Sequence, residues 1–166
     1  MTIKTILVPL DFSEPSASAL AYAKSLADAL RASIHLLHVT QDPAAQPWAP
    51  EAYSASLEEL LEALKAQAQA QLAASMSAAE RKKYRAALVV AVGAPFTGIV
   101  EYATKNQIDL IVMGTHGRGA VAHAILGSVT ERVVRFAPCA VLAVPSKWKD
   151  TPGKKKRAGG RRRGSS

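Results

Sequence analysis

The residues whose types and spacing bear most directly on chemistry lie in one segment, Met113-Gly-Thr-His-Gly-Arg-Gly-Ala-Val-Ala-His-Ala-Ile-Leu-Gly-Ser-Val-Thr-Glu-Arg132. Gly114, Gly117 and Gly119 follow a strand-like apolar run, and Gly127-Ser128 precedes a helix-like one. Glycine tolerates positive φ and lets backbone come close to a ligand. A helix N-terminus adds unpaired N–H groups and a partial positive charge. Together they make a plausible phosphate cradle. Three nucleotide-type readings compete with a plain glycine-rich connection that holds no ligand. A P-loop requires Gly-Lys-Ser/Thr, and Ala120-Val121 after Gly119 rules it out. A dinucleotide fingerprint fits Gly117-x-Gly119-x-x-Ala122 weakly, because it follows the fourth strand and has no acidic residue ~20 positions on. The third is a nucleotide site that uses the whole span from Gly114 to Ser128.

The elements that must position this loop follow from periodicity. Short apolar, β-branched runs predict strands over residues 3–9, 33–39, 86–92, 108–113 and 139–144. Between them, helices are predicted over 14–31, 53–83, 95–107 and about 127–136. Ser13 is the expected cap of the first helix, followed by Glu14 and Pro15. Pro43, Pro47 and Pro50 predict a loop without regular structure over 40–52. Leu57, Leu60, Leu61 and Leu64 recur at helical spacing and predict core packing. Alternation of strand and helix implies an α/β fold: a doubly wound, parallel five-stranded sheet with helices on both faces, flavodoxin-like or Rossmann-like. The flavodoxin-like order 2-1-3-4-5 or a close variant is the expectation. Ligands in such sheets bind at the carboxyl ends of the strands, so the loops after strands one, two and four are the ones to inspect.

Composition narrows the class further. The 166 residues make one ordinary domain, expected over 1–146. Nine of the 21 Lys+Arg and one of the 13 Asp+Glu lie in 147–166, so that segment carries the whole net charge of +8. Residues 1–146 balance at twelve basic against twelve acidic. The basic segment, rich in Gly, Ser, Lys and Arg, is read as a disordered tail. Its clusters Lys154–Arg157 and Arg161–Arg163 suit weak, salt-sensitive polyanion binding, with a solubilising tail as the plain alternative. Lacking interleaved aromatic residues after Trp148, the tail predicts no base specificity. Neither a membrane-spanning run nor a secretory signal is read, and cytoplasmic localisation is the expectation. Cys139, the single cysteine, permits no internal disulfide and is expected to be inert.

At this point the chain resembles a known family. Gly114-x2-Gly117-x9-Gly127-Ser128 matches the signature of the ATP-binding branch of the universal stress proteins. The resemblance extends over nearly all of 1–146, through Ile6-Leu-Val-Pro-Leu-Asp11-Phe-Ser13, His38-Val39, Asp109-Leu-Ile-Val-Met-Gly114 and Ala137-Pro-Cys-Ala-Val-Leu-Ala-Val-Pro145. It implies that Asp11 meets the ribose or base with Pro9 beside it, and that Val39 offers backbone to adenine. It implies that Met113 and Gly114 flank the ribose and first phosphate, while Gly117, Gly127, Ser128 and Val129 hold the phosphates. ATP or another adenine nucleotide is the implied ligand, with Mg²⁺ only through the phosphates. The implied role is a nucleotide-responsive stress regulator with little or no turnover; the alternative is a slow ATPase or autophosphorylating enzyme using the same site. A homodimer through strand 139–144 is implied as well.

Simpler roles stand beside these. Asp11 and Ser128 are each of a type that caps helices, and Arg118 is of a type usually solvated. His116 and His123 have no visibly paired Ser or Cys nucleophile, so no catalytic residue is assigned. His35 and His38 sit at i, i+3 on a strand and face opposite sides, which prevents them from chelating one metal as neighbours.

Overall fold

The computed structural model describes residues 2–45, 54–115 and 126–146. Its element order is β1 (Thr5–Pro9), α1 (Glu14–Leu30), β2 (Ser33–Thr40), α2 (Ser54–Ala74), α3 (Ala78–Lys83), β3 (Ala87–Val92), α4 (Pro95–Lys105), β4 (Leu110–Gly114), α5 (Ser128–Phe136) and β5 (Ala140–Val144). The five strands form one sheet in the order β3-β2-β1-β4-β5, and each recorded pairing is parallel. The expected doubly wound architecture is present, but the order 2-1-3-4-5 is not. The β3 strand pairs with β2 instead of lying beside β1. The place beside β1 falls to β4, which is buried at every residue, whereas β3 is a half-exposed edge.

Side chains alternate across the sheet and supply two cores. Ile6, Val8, Ile34 and Leu36 pack with Ala19, Leu20, Ala23, Leu72 and Met76 from α1, α2 and the turn after α2. On the opposite face Leu7, Leu37 and Ile111 pack with Ile99 and Ala103 of α4 and Val133 of α5. The carboxylate of Asp109 ties down the start of β1, accepting from the amides of Lys4 at 2.8 Å and Thr5 at 2.9 Å.

Local chemistry explains the helix ends. The Oγ of Ser13 accepts from the Ser16 amide and caps α1, which ends on Arg31 in the left-handed region at φ 56°. The single helix expected over 53–83 is two helices. Ala74 ends α2, and Ser77 with Glu80 forms a reciprocal capping box that opens α3. A 3₁₀ turn at Pro43–Ala45 interrupts the loop expected to be irregular, since proline favours the first positions of such a turn. The leucine stripe is also corrected. Leu60 is 44 % exposed and Leu57, Leu61 and Leu64 are only half-buried, because α2 meets the sheet further along, through Ala68 and Leu72.

Ion pairs join α3 to α1. Lys24 Nζ lies 2.8 Å from Glu80 Oε1, and Lys83 Nζ lies 2.6 Å from Asp28 Oδ1. The Lys24 ammonium, then the Ser77 amide and hydroxyl, hold the Glu80 carboxyl down at about 2. A carboxyl whose folded pKa is depressed contributes stability above its ordinary pKa and loses it as pH falls toward the folded value. Glu80→Gln is therefore expected to melt below the wild type at neutral pH, with the gap closing as pH falls from the ordinary carboxylate range toward about 2. Thermal melts of both proteins across that window check it; a gap that does not change with pH would refute it.

Candidate functional site

A cleft of about 1000 Å³ opens at the carboxyl ends of the strands. Its position follows from the strand order. The chain runs outward from β1 to β2 and β3, then crosses back to β4 on the other side of β1. The connection after β1 leads to α1 on one face, and α5, which follows β4, packs on the other. The crevice between them is the topological switch point, the usual ligand site of such sheets.

The β4 end of the cleft is built by close packing. A Cβ on Gly114 would lie 2.8 Å from the carbonyl carbon of Pro15 and 2.9 Å from its oxygen. No side chain fits there, so this glycine is what allows the start of α1 to close onto β4. The buried hydroxyl of Thr130 donates to the Gly114 carbonyl at 2.9 Å. The Thr115 amide donates to the Val144 carbonyl at 3.0 Å, and the Gly127 amide donates to the Thr115 carbonyl at 2.7 Å. These bonds fix the first turn of α5 beside the end of β4.

The first turn of α5 has the properties of an anion site. Its N-cap, Gly127, adopts an extended conformation and supplies no side-chain acceptor. Helix geometry leaves the amides of Ser128, Val129 and Thr130 without intrahelical acceptors, and all three residues line the cleft. The donor from Gly127 itself is committed to the Thr115 carbonyl. Glu131, also in the first turn, lines the cleft too, and it lies 3.6 Å from the Arg135 guanidinium.

The remaining sequence candidates converge on the same cleft. Pro9 and Asp11 line it from the end of β1, Val39 from β2, and Met113 and Gly114 from β4. Asp11 is not the helix cap. Its Oδ1 accepts from the amide and the hydroxyl of Ser13, and Ser13 is the cap. Gly117, His116, Arg118 and His123 fall outside the described residues, as does the basic segment 147–166. His35 and His38 do face opposite sides: His35 Nδ1 lies 2.9 Å from the Tyr102 hydroxyl, and His38 Nδ1 lies 2.7 Å from the Leu10 carbonyl. Burial pushes the His35 imidazole down and the Tyr102 hydroxyl up. Cys139 is half-buried outside the cleft; burial, then the Asp109 charge, pushes its thiol up, consistent with an inert residue. Among the described residues no three His, Cys, Asp or Glu side chains are grouped to hold a metal.

Sequence reasoning missed part of the cleft wall. Phe12, His38, Thr40, Gln67 and Gln71 also line it. Phe12 holds φ at 63°, an uncommon conformation for a bulky side chain that costs about 1–3 kcal/mol and is typical of functional sites. Its ring stacks on His38 with centroids 4.6 Å apart. The signal for His38 and Thr40 was present in the alternation of β2, which puts both on the face away from Val39.

The comparisons agree with this architecture. A solved structure of UspA from Lactobacillus plantarum is 29 % identical, with a TM-score of 0.76, covering 87 % of this chain and 99 % of the other. A universal stress protein solved in complex with cAMP is 26 % identical, with a TM-score of 0.55, covering 88 % of this chain and 99 % of that one. The universal stress protein MJ0531 of Methanocaldococcus jannaschii is 33 % identical over 147 residues, which is 89 % of this chain and 85 % of the relative. The model of the Universal stress protein family matches residues 2–145, and with that match and this fold the chain belongs to the universal stress protein family.

Proposed function

We propose that this universal stress protein binds an adenine nucleotide, ATP in the first instance, and acts as a nucleotide-responsive stress regulator with little or no turnover. The observation that carries the reading is the first turn of α5. Its uncapped amides open into a crevice of nucleotide size at the switch point. The cAMP complex of a relative supports an adenine nucleotide as the ligand. In this arrangement the amides of Ser128 and Val129 meet the phosphates, and Gly117 joins them. Gly114 lets the start of α1 close onto the end of β4, and Gly127, with no side chain, leaves room for the phosphates. Asp11, oriented by Ser13, takes a ribose hydroxyl, with Pro9 and Met113 against the sugar and the Val39 backbone against the base. Mg²⁺ enters only through the phosphates. The second reading, slow hydrolysis or autophosphorylation at the same site, requires only a water held by backbone groups.

Two substitutions test the site. Gly127 has φ −69° and ψ 153°, a conformation valine also adopts, so Gly127→Val fills the phosphate space at little cost to the fold. Gly127→Val and Gly117→Val are both expected to abolish ATP binding measured by calorimetry while remaining folded. Wild-type titration curves from both variants would overturn the assignment. ADP or AMP released from ATP and Mg²⁺ by the wild type and not by Gly127→Val would favour the enzyme reading.

A homodimer through β5 is part of the proposal. As a sheet edge, β5 carries unpaired backbone groups. Beside it α5 exposes Val134 at 49 % and Phe136 at 58 %. Pairing of two β5 edges about a two-fold axis covers both features. Leu142→Lys, on β5, and Phe136→Asp, on the exposed part of α5, are both expected to shift a dimeric mass toward the monomer in light scattering. A monomeric wild type at micromolar concentration would overturn it.

The charge of the basic segment supports one further activity. Nine Lys and Arg within 147–166 suit non-specific polyanion binding that is independent of ATP. Truncation after Lys147 is expected to abolish binding to single-stranded RNA at ~50 mM salt, and the full chain is expected to lose most of its binding by ~200 mM. Equal binding by both lengths, or none by either at the lower salt, would leave the segment as a solubilising tail.

A further inference from the structure

One flank of the cleft is unused by the contacts proposed above. His38 and Thr40 share the face of β2 that α2 covers, opposite Val39. Thr40 is 7 % exposed and lines the cleft, yet its hydroxyl has no hydrogen-bond partner. A buried hydroxyl left unpaired is unfavourable, and one in a cleft wall is accounted for by a ligand group that pairs with it.

His38 complements it. Its Nδ1 lies 2.7 Å from the Leu10 carbonyl, and a carbonyl only accepts, so Nδ1 carries the proton. The other nitrogen of the neutral ring, Nε2, is then an acceptor. Phe12 stacks on the ring at an interplanar angle of 27°, so its orientation is set from two sides without a ligand. Ala68 packs the same flank from α2, and Gln67 and Gln71, one turn apart, line its rim.

We propose that this flank reads the base by side chains, with His38 Nε2 accepting from an exocyclic amine and the Thr40 hydroxyl donating to a neighbouring ring nitrogen. Adenine presents that pairing, an amine donor beside a ring acceptor. The proposal rests on the nucleotide reading and adds to it two specificity-determining residues. A base without the amine leaves Nε2 facing no donor, and a site built to hydrogen-bond a group discriminates against the analogue lacking it.

Calorimetric titration of ATP and of purine riboside triphosphate, which lacks only the amine, separates the possibilities. The wild type is expected to prefer ATP about tenfold, the worth of one neutral hydrogen bond. His38→Phe keeps the stack on Phe12 and is expected to reduce the preference to within about twofold, while His38→Gln, which retains an acceptor, keeps part of it. Thr40→Val is expected to weaken both ligands alike, about tenfold, with an unchanged or raised melting temperature. Unaltered preference in a folded His38→Phe, or wild-type affinity in Thr40→Val, overturns the proposal. A wild type that binds both ligands equally overturns it and leaves the nucleotide reading intact. A wild type that binds neither overturns both.

Discussion

Backbone from the start of α1 sits where a side chain on residue 114 would be, with the Pro15 carbonyl oxygen 2.9 Å from the place a Cβ would occupy. Most of the cleft depends on that approach. Pro15 is one residue beyond the start of α1, so the helix cap at Ser13 and the carboxylate of Asp11 that holds it are carried to the end of β4. From the opposite face Thr130 bonds the carbonyl of the same glycine and fixes the first turn of α5. A single strand end thus gathers two helix N-termini, one from each layer. A bulkier residue at 114 would force them apart.

The two helix starts differ in how their amides are satisfied. In α1, Ser13 caps from within the chain, and its hydroxyl is spent on Asp11 and Ser16. In α5 the cap is a glycine with nothing to offer. Unpaired amides at a helix start are costly where water is excluded, so they require solvent or a ligand. The asymmetry gives the cleft two unlike ends, a carboxylate beside a filled cap at α1 and uncapped amides at α5. That polarity matches the order of ribose and phosphate in the proposed ligand.

Strands, helices and their alternation were legible because each is a local pattern: β-branched runs, Ser13 before Glu14-Pro15, Pro95 opening α4. Strand order was not, because Ala87–Val92 and Leu110–Gly114 are similarly apolar and neither run encodes its neighbour. The break after α2 was legible in principle, since Ser77-x-x-Glu80 is a capping-box pattern, but strong helix formers on both sides hide it. Leu60 misleads for a different reason. Helical spacing shows that a face exists and not where along α2 it meets the sheet. In the site, the glycines stood out by type, yet the reason for Gly114 is a contact with a residue far away in sequence. The commitment of the Gly127 amide to Thr115 leaves no trace in residue types.

The strained Phe12 connects these themes. It stands between Asp11 and Ser13, the two residues that organise the start of α1, and a relaxed φ at this position would redirect both. Its ring is held by His38, which is itself held by the Leu10 carbonyl. The Leu10 amide in turn donates to the Leu37 carbonyl at 2.8 Å, continuing the pairing of β1 with β2 one residue past the end of β1. Strain of this kind persists only where its surroundings over-determine it. Here they do so through a closed circuit running from β1 to the imidazole of β2 and back through the phenyl ring. The circuit includes residues of the cleft wall, since Leu10, Phe12 and His38 all line it.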